Sequence, residues 1–104
     1  MSKQKAIELT AEVYRLVEKL PDEELNALSK KLKLSAIEIT TNIAKSELDS
    51  TLEDKKHFLS AANGKIAVVE TLLLICVKVN YFGKEEIETA MTMCAELGRM
   101  LNES

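Results

Sequence analysis

The chain has 104 residues and no tryptophan; aromatics make up only 4% of it, and it holds three glycines and one proline. Sheet proteins want aromatic and β-branched residues in their strands and glycine or proline at their turns, so this scarcity argues against a β or α/β fold. One histidine, His57, leaves little for imidazole chemistry. Two cysteines, Cys76 and Cys94, cannot make a disulfide framework. If the last two helices turn back near Phe82, the cysteines are offset by about 9 Å along the helix axis, beyond the ~7 Å Cα separation a bridge tolerates. They are therefore expected to be small buried hydrophobes in a reducing compartment. An excess of positive charge is lacking too. The net charge is −3 and the pI about 5.2, which opposes non-specific attraction to phosphate backbones.

Apolar residues account for 46% of the chain and charged ones for 30%. This is the balance of an ordered helical domain with a solvated surface, and the length suits a single domain over 1–104. The apolar periodicity predicts four helices. The first spans residues 3–20, with a stripe Ala6, Thr10, Val13, Val17, Leu20 flanked by Leu9 and Leu16. Pro21 stops it, and Pro21-Asp22-Glu23-Glu24 opens the second with three carboxylates at the positive end of the helix dipole. The second carries Leu25, Leu28, Leu32, Ala36, Ile39 and Ile43, with Leu34 and Ile37 turned to another face. Ser50 with Glu53 reads as a capping box for the third helix.

The third helix, within residues 49–80, is too apolar for an ordinary surface helix. One stripe runs Leu59, Ala62, Ile66, Val69, Leu73, Cys76; a second runs Phe58, Ala61, Val68, Leu72, Ile75, Val79. A surface helix needs an apolar arc of about 100°, and two stripes exceed it. The surplus predicts burial against several neighbours or another subunit. Leu34, Ile37, Leu72 and Ile75, off the main stripes, are the expected oligomer-interface residues. A bilayer span is not expected, because the greasiest segment, residues 67–79, is short and carries Glu70 and Lys78. The turn Asn80-Tyr81-Phe82-Gly83 precedes a fourth helix with Ile87, Met91, Cys94, Gly98 and Leu101. Short connections make successive helices antiparallel neighbours. The expected fold is all-α, an antiparallel up-down-up-down four-helix bundle. With no leader-like segment at the start, a cytoplasmic location is expected.

Catalytic signals are missing. A nucleophile needs a base in reach, and His57 beside Lys55-Lys56 reads as an exposed surface residue. Di-iron bundles need two Glu-x-x-His repeats and further inward carboxylates. There is no glycine-rich phosphate loop or Cys-x-x-Cys pair. No catalytic, cofactor-binding or metal-ligating residue is assigned, and an enzyme is not expected. For nucleic acid the candidate patch is Lys30, Lys31 and Lys33. These lysines straddle more than half the helix circumference and lack interleaved aromatics for base stacking, so a solvated face is the favoured reading.

Several segments also fall into a familiar order. Val13-Tyr14-Arg15-Leu16-Val17-Glu18-Lys19-Leu20-Pro21, then Leu32-Lys33-Leu34-Ser35-Ala36-Ile37 running on to Asn42-Ile43-Ala44, Ala62-Asn63-Gly64 with Glu70-Thr71-Leu72-Leu73, Asn80-Tyr81-Phe82, and Glu96-Leu97-Gly98-Arg99-Met100-Leu101 occur in sequence. Together they resemble the small bacterial four-helix-bundle proteins first noted as products of intervening sequences in large ribosomal RNA genes. Thr40 stands where that family has proline and Leu34 where it has arginine, which thins the basic face. The ending is similar to that of a sister group, the accessory variability determinant proteins of diversity-generating retroelements. The resemblance implies a homopentameric ring without catalytic residues, of largely undefined biochemical role; the function expected for this chain is a self-assembling scaffold or adaptor, with no cofactor and with a protein partner as a candidate. The sister group implies the competing role, a nucleic-acid-binding accessory of a reverse transcriptase.

Overall fold

Every element of the chain is helical among the residues described, 1–48 and 51–103 of a computed structural model. The elements are α1 (Ser2–Val17), a single 3-10 turn (Asp22–Glu24), α2 (Leu28–Ser46), α3 (Leu52–Lys78) and α4 (Lys84–Asn102). Helix α2 packs against α1 and α3, and α4 packs against α1 and α3, while the diagonal pairs do not approach. This is an all-α up-and-down bundle. Its long dimension of 44 Å matches α3, whose 27 residues extend about 40 Å.

The core is built from the period-3.6 positions. Leu32, Ile39, Ile66, Val69 and Leu73 are buried, with Val13, Cys76, Cys94 and Leu97 among the largest side chains sealed from solvent. In α1 the buried line is Ala6, Leu9, Val13, Leu16, Val17, Leu20, so Leu9 and Leu16 are central rather than flanking. Thr10 lies at the α1–α2 seam. Its hydroxyl is 2.9 Å from the Ala6 carbonyl in its own helix and 3.2 Å from the Ala36 carbonyl across the seam. The Thr40 hydroxyl stands 3.3 Å away. A hydroxyl thus occupies the position where a proline would have removed a helix hydrogen bond.

The start of α2 departs from the sequence expectation. Pro21-Asp22-Glu23-Glu24 opens a 3-10 turn, closed by Glu24 N–H to the Pro21 carbonyl at 2.9 Å and Leu25 N–H to the Asp22 carbonyl at 3.0 Å. Ala27, at φ −125° and ψ −102°, then separates this turn from α2. Leu25 is therefore exposed and not part of the helical core stripe. The cap of α3 is Thr51, whose hydroxyl accepts the Asp54 N–H at 3.1 Å; Ser50, expected as the cap, lies outside the described residues. At the other end Asn80 adopts a left-handed φ of 67°, a conformation asparagine tolerates better than most. The Tyr81 N–H then donates to the Cys76 carbonyl at 2.9 Å, closing the helix. Glu86 reaches back to accept the Gly83 N–H at 2.8 Å and so helps start α4.

Helix α3 also corrects the expectation about bilayer length. Between Phe58 and Ile75 only Lys65 and Glu70 are charged, so the apolar stretch is longer than its greasiest part. By length and composition α3 is sufficient to cross a membrane, and a third of that stretch is buried inside the bundle.

Candidate interaction surface

The outer side of α1, α2 and α3 carries what the core cannot absorb. Ile7, Tyr14, Leu34, Ile37, Leu74, Ile75 and Val79 are exposed large hydrophobics, and none of that kind lies on α4 among the described residues. Exposed positions of α4 are instead Lys84, Glu85, Glu86, Glu88, Thr89, Thr92, Arg99 and Asn102, with the small Ala95 among them. The molecule thus has an apolar side centred on α2 and a polar side at α4.

Two features shape the apolar side. An open groove between α1 and α2 is lined by Ile7, Thr10, Ala11, Ile37, Thr40 and Thr41. On α3 a shallow depression is lined by Ala67, Val68, Thr71 and Leu72. Of the four expected interface residues, Leu34, Ile37 and Ile75 are exposed at 50%, 37% and 41%, whereas Leu72 is only 8% exposed. Leu72 belongs to the core of the single chain and leaves the candidate set. Helix α3 packs extensively along α2, so its α2-facing flank is core as well as the central stripe. The salt bridge from Lys65 to Glu38, 3.1 Å, ties these flanks together.

The three candidate lysines do not act as one group. Lys33 is half-buried and sits over the Tyr14 ring, 5.3 Å from its centroid, where the ring quadrupole attracts the ammonium. Lys30 and Lys31 are exposed and line a groove at the start of α2 with Asn26, Ala27, Leu28 and Leu34. The other end of the same bundle face holds Lys45, 5.8 Å from the Phe58 centroid, and Lys3, bridged to Glu47 at 3.1 Å.

Titratable groups elsewhere serve the fold. Glu12 accepts two hydrogen bonds from Arg15, at 2.9 and 2.6 Å, and these hold its carboxyl below the usual carboxylate range. Burial pushes the Cys94 thiol up to about 12, with the Glu70 charge adding to the effect. Cys76 is raised in the same way, with Glu24 contributing. Both thiols are free. The Tyr81 hydroxyl donates to Glu24 at 2.8 Å, which raises its pKa and joins the α1–α2 and α3–α4 connections at one end of the bundle. His57 is exposed on the first turns of α3, edge-on to Phe58 with centroids 5.4 Å apart. Among the described residues no three His, Cys, Asp or Glu side chains converge as a metal site requires.

The class of protein is thus an up-and-down helical bundle with a long, shallow apolar side flanked by lysines. The model of the 23S rRNA-intervening sequence protein family matches residues 2–103, and the chain belongs to that family. The crystal structure of a protein of unknown function from the S23 ribosomal protein family of Bacteroides thetaiotaomicron superposes with a TM-score of 0.90. It is 22% identical, and the match covers 99% of this chain and 96% of that one, which shows the shared fold. No curated protein matches the chain.

Proposed function

We propose that this protein is a self-associating, non-enzymatic scaffold or adaptor of the cytoplasm. The observation that carries this reading is the one-sided distribution of exposed hydrophobics, present on α1, α2 and α3 and missing from the described surface of α4. Monomeric soluble proteins rarely leave large contiguous apolar surface in water. Protein covers this side, in preference to lipid, because α2 at its centre carries Lys30, Lys31, Glu38 and Lys45 beside Leu34 and Ile37. A homopentamer is the assembly that the family resemblance implies. Light scattering with sedimentation at micromolar concentration tests it: the protein should exceed the 11.6 kDa of one chain. Leu34→Glu, Ile37→Glu or Ile75→Glu should dissociate it while helical circular dichroism is kept. A monomeric parent protein rejects the proposal.

One observation favours a second reading. Lys30 and Lys31 flank an open groove at the start of α2, and repetition of that pair around an assembly would gather weak phosphate contacts into a stronger field. This is the role the retroelement sister group suggests, a nucleic-acid-binding accessory of a reverse transcriptase. The charge of −3 per chain is multiplied along with the patch, and the scaffold reading stands first.

A further inference from the structure

We infer that the apolar side is closed head to tail: the outer face of α3 on one copy is covered by the α1–α2 face of a second copy, with α3 parallel to α1. The inference rests on the self-association proposed above and specifies which two surfaces meet.

Gly64 is the first reason. It lies inside α3 with no positive φ, so its backbone does not require glycine. A Cβ built there meets nothing within 4 Å, whereas at Gly98 it comes to 4.0 Å from the Asn63 side-chain oxygen, where α4 approaches α3. Glycine inside a helix costs stability relative to alanine, and within the single chain Gly64 gains no packing in return. It sits on an exposed outer line with Ser60, Ala67, Thr71, Leu74 and Lys78, recurring at helical spacing. Small residues on such a line let another helix approach closely.

The second reason is height along the bundle. Thr10 lies across from Ala36 and Thr40 of α2, and Lys65 lies across from Glu38 of the same helix. Thr10 and Lys65 therefore stand at about the same level. At 1.5 Å per residue in both helices, Ile7 is level with the interval between Ser60 and Gly64. Tyr14 is level with the interval between Ala67 and Thr71. The bulky exposed residues of α1 thus stand opposite gaps between small residues of α3, with no rise from one copy to the next. Contact between different surfaces of identical chains closes into a ring only when that rise vanishes; otherwise it runs on as a filament.

Charge sets the direction. The outer face of α3 carries exposed Glu53 near its start and exposed Lys78 at its end. By the same levels Lys3 and Lys45 stand beside about residue 58, between one and two turns into α3, and Glu18 beside about residue 73, between one and two turns before its end; within the chain Lys3 is bridged to Glu47 and Lys45 sits over the Phe58 ring. Glu18 and Lys78 make no ion pair within the chain among the described residues. Parallel alignment turns Glu18 toward the Lys78 end of α3 and Lys45 toward its Glu53 end, each about five residues off level. The antiparallel, two-fold alternative sets Lys78 against Lys45 and Glu53 against Glu18.

Two variants blocked on opposite surfaces test the pairing. Ala67→Glu spoils the α3 face and Ile37→Glu spoils the α1–α2 face; each alone should be monomeric with unchanged helical circular dichroism. Mixed in equal amounts, they should form a one-to-one heterodimer and stop there, since one intact pair of surfaces remains. Gly64→Leu, at a position with open space in the single chain, should also give a folded monomer. Lys78→Glu should weaken assembly at low salt and Glu18→Lys in the same chain should restore it. If the parent protein assembles but the mixture stays monomeric, or Gly64→Leu assembles like the parent, the pairing is wrong and self-association stands. If the parent is monomeric, both fall.

Discussion

At Cys94 a thiol is held in its neutral form by its surroundings, with a pKa pushed up to about 12, and Cys76 is shifted in the same direction. The thiolate is the reactive species, and both sulfurs lie in the core. Ellman's reagent at pH 8 should therefore leave both cysteines unmodified in the native protein and titrate both in denaturant. Fast reaction of either native thiol would show that the core is not closed around it. Leu73 supplies a second measurement. It is fully buried, and Leu73→Ala removes packing atoms and leaves a cavity, worth ~2–5 kcal/mol. The midpoint of urea unfolding should fall accordingly, and an unchanged midpoint would mean that this face of α3 is not core.

Among the elements, the four helices were legible because apolar positions recur at 3.6-residue spacing and Pro21 and Asn80-Tyr81-Phe82-Gly83 punctuate them. Helix starts were less so. Nothing in Leu25-Asn26-Ala27 announces that Ala27 breaks the helix, and the capping role of Thr51 depends on the Asp54 amide coming into reach. Exposure was partly legible. Leu34, Ile37 and Ile75 lie outside the core, but Leu72 does not, because α2 covers a flank of α3 that periodicity alone cannot assign. The small outer residues of α3 gave no signal in the sequence, since Ser60, Gly64, Ala67 and Thr71 acquire meaning only when their level against Ile7 and Tyr14 is known. The connections yield a prediction of their own. The folded state raises the Tyr81 pKa through its hydrogen bond to Glu24. A raised pKa contributes stability that is fully present below the unfolded tyrosine value of about 10 and is lost as pH rises through the folded value. Thermal stability should decline above pH ~10, and Tyr81→Phe should flatten that decline. An identical alkaline profile in Tyr81→Phe would remove the hydrogen bond from the account.

For the whole molecule the decisive quantity is charge. With −3 per chain, long-range repulsion opposes nucleic acid, and Lys33 is already engaged with Tyr14. The expected outcome is little affinity for duplex or single-stranded nucleic acid at physiological salt. Should binding appear at low salt, replacing Lys30, Lys31 and Lys33 by glutamine separates the readings. A gel shift that weakens steeply with salt and disappears in the triple variant, with assembly intact, would favour the accessory role over the scaffold, since each neutralised phosphate releases counterions.

The packing order of the helices has a kinetic consequence. Three of the four helix pairs in contact are neighbours along the chain, and only α1 with α4 joins distant segments. Local contacts cost little loop-closure entropy, and helical proteins of this topology fold in microseconds to milliseconds. On the proposed self-association, the apolar side would meet a second copy as a finished surface on a folded bundle rather than on a lingering intermediate. Encounter between copies, which depends on concentration, would then be the slow step in making the proposed assembly.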